Sequence, residues 1–257
     1  AEPSDVSTPD TVVQDVSSDV TTAPGQPIGD GMVDADWYDA RISSYLAFAT
    51  EQTSPGNLSN IIAHLAREAR DPGYTAPVAV VPADSFDDML AKVATLADTS
   101  DFGVIKMVTL MHVAKDHPML VPGAWDKIED AVLGFKYWYT QDQAAGVTDD
   151  MWYWSENHQI IFHAAELLAG QMYPDTVFTN TGMTGDEHRV HAREMIIAWT
   201  DMRMKYGFNE WHSDVYYRHS LNPLIALIEF SDDAEIRARS TIVADLLLLD
   251  YALNTYS

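Results

Sequence analysis

From Asp34 to the end of the chain, apolar residues return at helical intervals in one segment after another. Nowhere in that length do they alternate as a half-buried strand requires. Trp37, Arg41, Tyr45 and Phe48 keep the interval in the first segment. Leu58, Ile61, Ile62 and Leu65 share one face of the next, between the breakers Ser54-Pro55-Gly56 and Asp71-Pro72-Gly73. Residues 75–82 form the one strand-like run, and their prolines make it an extended connector. A helix opens at Asp84 and is expected to end near 98–101, followed by one from about Asp101 to Lys115. Pro122 starts another, with Trp125, Ile128, Val132, Phe135 and Tyr139 expected to point inward.

After a loop at 146–150, the next helix should run from about Ser155 to Gln171 with Ser155 as N-cap. Residues 174–182 read as loop. Thr184 and Glu187 have capping-box spacing and begin a long helix to Tyr206, closed by Gly207. Residues 208–213 form a loop, and helices are expected from Val215 to Phe230 and from 232 to Tyr256. Short loops between roughly equal helices predict an all-α fold of helical hairpins, either a solenoid or part or all of an α/α toroid. No residue-level repeat accompanies the hairpins. The final helix carries Leu246 to Leu249 and Tyr251. So apolar an end suggests a truncated piece of a larger toroid.

Residues 1–33 are of another kind, being dominated by Ser, Thr, Asp, Val, Pro and Gly with no aromatic residue. Such a stretch buries too little apolar surface to offset its ordering entropy, so it reads as a disordered acidic leader before the helical domain at 34–257. Leaders of this composition are common in exported proteins (periplasmic, secreted or surface-tethered), and the initial Ala suits a processed product. A terminus with no role is the other reading. The charge is strongly one-sided, with 15 basic against 39 acidic residues and a net of −24. That repels phosphate backbones and anionic lipid, which excludes nucleic-acid and membrane-surface partners. The absence of cysteine removes disulfides, thiolate metal sites and thiol nucleophiles. No apolar run reaches the roughly 20 residues of a membrane span. Oligomeric state is left open.

Chemistry concentrates in two stretches. In the first, Trp152, Tyr153 and Trp154 run directly into Ser155, Glu156, Asn157 and His158 at the start of a helix. Glu156, Gln159, His163 and Glu166 then fall on one stripe of it. A helix N-terminus favours a bound carboxylate or sulfate, and Trp152, Trp154 and Trp211 offer flat apolar faces to sugar rings. The bland alternative has Ser155 and Glu156 capping the helix and the indoles packing in the core. The second stretch holds Glu210, Trp211, His212, Asp214, Tyr216 and Tyr217. A His and a Tyr near one helix start could exchange protons with a bound sugar. Glu156 with Glu210 or Asp214 could instead serve as the acid and base of an inverting hydrolase. A plain turn network is the structural alternative. His188 and His191, beside Glu187 and Glu194, have a spacing compatible with metal coordination. Without an evident third ligand they read as a solvated charged face, so no metal is expected. No phosphate loop, nucleophile elbow or dinucleotide fingerprint is present, and no cofactor is expected.

Trp152-Tyr153-Trp154-Ser155-Glu156-Asn157-His158-Gln159 resembles the Asn/Trp-rich segment lining the cleft of α/α-toroid polysaccharide lyases of the chondroitin-lyase and heparinase type. The stretch from Phe208 to Tyr217 resembles a Glu-x-x-Ser-x-x-Tyr-Tyr turn of related toroid proteins. The resemblance spans about Trp125 to Tyr256 and implies a carbohydrate-active protein acting on a polysaccharide or oligosaccharide. In the lyases, an Asn helps neutralise a uronate, a His or Tyr takes the proton beside it, and a Tyr protonates the leaving oxygen. Carried over, Asn157 would meet the carboxylate, His212 would be the base and Tyr216 the acid. Glu156 and His158 would stand beside them, with Trp152, Trp154, Trp211, Glu210 and Tyr217 contacting the glycan. β-Elimination is the first expectation, inverting hydrolysis the second, and a non-catalytic secreted binding module the third.

Overall fold

A computed structural model describes residues 35–51, 57–77, 84–115 and 122–255. The chain divides into two units, residues 1–45 and 46–257. In the first, the described residues are helical, and the Arg41 guanidinium lies 5.8 Å from the centre of the Trp37 ring. The expected leader, and most of the connector at 75–82, lie outside the described residues.

The described residues contain helices and no strand, which establishes the all-α class. In chain order they are α1 (Ala35–Ala49), α2 (Leu58–Arg70), α3 (Asp87–Ala94), α4 (Ser100–Ala114), α5 (Pro122–Leu133), α6 (Glu156–Met172), α7 (Gly185–Tyr206), α8 (Tyr217–Phe230) and α9 (Ala234–Leu253). α1 crosses the division between the units, and α2 to α9 belong to the second. Two helices stop short of expectation. α3 ends at Ala94, because Leu96 and Thr99 take left-handed backbone angles (φ 49° and 68°) that no helix continues through. α5 ends at Leu133, so Phe135 is buried from the loop that follows rather than from a helix face. Tyr139, expected inward, is exposed.

The second unit is built around α6, fourteen of whose seventeen residues are buried. A helix so enclosed must be covered on every side, and α4, α7 and α8 do this. α9 packs on α7 and α8, α2 on α4, and α3 and α5 on α4 and each other. Ile160, Ile161, Phe162, Ala164, Ala165 and Leu168 of α6 meet Met107, Leu110 and Met111 of α4 and Ile196 of α7 in one continuous core.

Local chemistry sets the ends of these helices. The Ser155 hydroxyl accepts from the His158 N–H at the start of α6. Thr184 and Glu187 form the reciprocal box that opens α7, and Gly207 closes that helix at φ 75°. The packing of α7 on α6 depends on two glycines. A Cβ on Gly185 would lie 2.1 Å from the Tyr173 carbonyl oxygen, and one on Gly170 2.4 Å from the Gly185 oxygen. Only bare backbone allows that approach, which sets polar residues inside α6 against those of α7. On α9, Leu248, Leu249 and Leu253 are exposed.

Candidate functional site

The first turn of α6 meets the loop after α7. The Asn209 N–H donates to Glu156 Oε2 at 2.5 Å, which Arg203 of α7 approaches to 2.8 Å. The Trp199 indole N–H donates to the Glu156 carbonyl at 2.9 Å. Thus residues 155–158 and 208–210 share one neighbourhood, although they are some fifty residues apart in sequence. Burial raises the Glu156 carboxyl above the usual range, against the pull of the Asn209 N–H and Arg203. Its Oε2 is engaged from both the loop and Arg203, so this side chain is a fixed anchor between α6 and α7.

Next along α6, Asn157 is buried. Its Oδ1 accepts from the Ser155 hydroxyl at 2.5 Å, while its amide nitrogen finds no partner among the described residues. His158 Nδ1 stands 2.7 Å from Asp101 Oδ2 at the start of α4. Asp101 is almost wholly enclosed, and burial raises its carboxyl above the usual range although His158 pulls it back down. A buried carboxylate bonded to Nδ1 fixes the imidazole ring and leaves Nε2 as the nitrogen available for proton transfer. Glu210 completes the group. Burial and the neighbouring Glu156 charge raise its carboxyl, with His158 and Arg203 opposing, and its Oε2 is buried without a partner among the described residues. Asn157 Nδ2, Asp101 Oδ1, Glu210 Oε2 and two Arg203 nitrogens are thus buried here without a hydrogen-bond partner among the described residues. In a packed interior each costs about 1–3 kcal/mol. Such a concentration is what a substrate-facing cluster carries.

The three candidate indoles do not fill the core. Trp152, Trp154 and Trp211 are 55%, 59% and 69% exposed. Trp154 lies against Tyr139 with ring centres 4.7 Å apart, and Trp211 stacks on His212 at 3.9 Å.

The remaining candidates gather elsewhere. His212 takes a left-handed backbone angle (φ 55°), and its N–H donates to the Tyr217 hydroxyl at 3.0 Å. That hydroxyl in turn bonds Asp250 of α9. His212 Nε2 is 3.5 Å from Asp250 Oδ1. Burial and the Asp250 bond raise the Tyr217 hydroxyl to about 12. Tyr216 is exposed, one residue before α8. So the structure brings Glu156, Asn157, His158 and Glu210 together, and puts His212 and Tyr217 in a separate cluster on α9. Trp211, Asp250 and Arg203 line a hollow of about 440 Å³ there.

No family model, curated protein or solved structure matches the chain.

A larger hollow, about 620 Å³, lies between α2, α4 and α8, with Lys106, Arg218, His219, Asn222 and Glu229 among apolar side chains in its wall. His158 is not in its wall. The Phe102 ring stands between the two, edge-on to His158 at 4.9 Å and to His219 at 4.7 Å. Burial lowers the proton affinity of His219, and the nearby Arg218 and Lys106 charges lower it further.

Sequence reasoning missed Asp101, which sits alone on a helix with no motif around it. It also misassigned the histidine face of α7. His188 is wholly buried and His191 partly so, and both bond Glu166 of α6. The polar stripe along α6, which includes His163 and Glu166, was the available signal. A polar stripe on an enclosed helix needs a polar partner.

Proposed function

We propose that the chain is a carbohydrate-active enzyme whose helical hairpins form part or all of an α/α toroid, acting as an exported polysaccharide lyase on an acidic glycan. The observation that carries this reading is the His158–Asp101 pair at 2.7 Å, set beside the unpartnered Asn157 amide and the Glu210 carboxyl. His158 is the better base than His212, because an enclosed carboxylate orients its ring. In this scheme His158 Nε2 takes the proton beside the uronate carboxylate, and the bond electrons become the new carbon–carbon double bond. The C–O bond to the leaving sugar then breaks, and Glu210, whose proton affinity burial raises, supplies a proton to the departing oxygen. Asn157 Nδ2 donates to the uronate. Arg203 beside Glu156, and Lys106 and Arg218 across the Phe102 ring, supply positive charge on a chain of net charge −24. The exposed indoles offer stacking faces to flanking sugars.

One observation favours hydrolysis as a second reading. Glu156 and Glu210 are close enough that one raises the proton affinity of the other, the asymmetry an acid–base carboxyl pair needs. Incubation with a panel of uronic-acid polysaccharides separates the cases. A new ultraviolet absorbance from an unsaturated uronide, lost in His158→Ala, supports elimination. Reducing ends without that absorbance support hydrolysis. Binding without turnover reduces the chain to a glycan-recognition module and removes both schemes.

A further inference from the structure

A second polar cluster lies deeper along α6, apart from the group just described. His163 and Glu166 are one turn apart on α6, and His188 and His191 one turn apart on α7. All four meet where Gly170 and Gly185 bring the two helices into backbone contact. Glu166 is fully buried. Its Oε1 lies 2.8 Å from His188 Nδ1, and its Oε2 lies 2.9 Å from His191 Nδ1 and 3.6 Å from His163 Nδ1. One nitrogen from His163, one from His191 and one Glu166 oxygen all fall within 4.8 Å of one another. We propose that His163, Glu166 and His191 are the protein ligands of a divalent transition-metal ion of the zinc class.

Four features support this assignment. First, His163 is 1% exposed, yet neither of its ring nitrogens has a hydrogen-bond partner among the described residues. A purely structural histidine at that depth would bond at least one of them, and coordination supplies the missing interaction. Second, the His163 and His191 ring centres lie 5.8 Å apart, so a single ion can reach a nitrogen of each. Third, the carboxylate is already oriented. His188 holds Oε1 and is itself fixed by the Thr181 hydroxyl, 2.8 Å from its Nε2. The Thr181 oxygen in turn accepts from the Met183 N–H at 3.1 Å. A ligand carboxylate steadied by a chain of outer bonds is how proteins fix metal geometry. Fourth, the walls are rigid and apolar, with Trp138 4.4 Å from the His163 ring.

The ligand set also indicates the ion and its use. Two imidazoles with one carboxylate suit zinc, iron(II) or cobalt(II), while magnesium and calcium prefer all-oxygen shells. Three protein ligands leave at least one position open. His191 is the most exposed of the three, its side chain one-third accessible, so the open position would be reached from its side.

Cobalt(II) is the direct probe, because its ligand-field absorption reports coordination without any assay of turnover. Metal-free full-length chain titrated with Co²⁺ should give a visible band saturating at one ion per chain, with thermal stabilisation that grows with free ion. Zn²⁺ should displace it. His191→Ala and His163→Gln, each checked for native helicity by circular dichroism, should lose the band and the stabilisation. Should His163→Gln fail to fold, the more exposed His191→Ala decides alone. Absence of saturable binding in the wild type overturns the assignment, and so does binding that survives unchanged in His191→Ala.

Discussion

At the scale of single residues, the α6 N-terminus shows how neighbours divide labour among similar groups. Glu156 and Glu210 are both carboxyls raised by burial, yet only Glu156 is held by Arg203 at 2.8 Å, which leaves Glu210 as the proton donor. The sign of the pH dependence follows. Glu210 must be protonated to donate, and its affinity lies above the usual carboxyl value. Activity should therefore persist above that value and fall as pH rises through the raised one. Glu156→Gln removes the repelling charge and frees Arg203, and both changes lower the Glu210 affinity. The alkaline limb of the kcat profile should move to lower pH, and an unmoved limb would remove Glu210 as the acid. Asp101→Asn should keep the fold and KM but lower kcat by about 100-fold or more, because the ring loses its orienting carboxylate. An equal loss in KM would instead mark Asp101 as part of the binding surface.

Elements are decided by their ends and by their closest approach. Asp233 caps α9, accepting from the Glu235 and Ile236 N–H groups, and Arg193 Nε bonds it from α7 at 2.6 Å. Burial works to raise its carboxyl, but the Arg193 bond and the cap N–H groups outweigh it and hold it below the usual value. Its contribution to stability is thus present above the unfolded value and is lost as pH falls through the folded one. Asp233→Ala should cost about 1 kcal/mol in urea unfolding at neutral pH, with a smaller deficit in acid. Gly185→Ala should cost more, about 2 kcal/mol or above, because the added carbon meets a backbone carbonyl that cannot rotate away. A melting temperature equal to wild type would show that α6 and α7 can part without loss. The caps at Ser155 and Thr184 and the stop at Gly207 were legible in the sequence, since they are fixed by a few adjacent residues. The end of α3 was not, because Leu96 and Thr99 carry no signal for a left-handed turn.

For the whole molecule, charge matters most. A net charge of −24 on 257 residues means self-repulsion in the folded state. Added sodium chloride screens it, so the melting temperature should rise between low and roughly 1 M salt. A flat or falling curve would show that ion pairs such as Arg239–Asp201 and Arg189–Asp232 outweigh the excess charge.

Sequence by itself determined the helical class and the order of α1 to α9, because helical period, caps and breakers act over a few residues. It also determined which stretches are rich in reactive side chains. Tertiary structure alone decided which of those residues face each other. Asp101 reaches His158 across 57 positions and Glu166 reaches His191 across 25. His212 turns toward Asp250 while Glu210 faces Glu156. Such pairings depend on how closely two backbones can approach, as at Gly170 and Gly185. They also depend on the cost of leaving a buried polar atom without a partner, and neither quantity exists until the helices are packed.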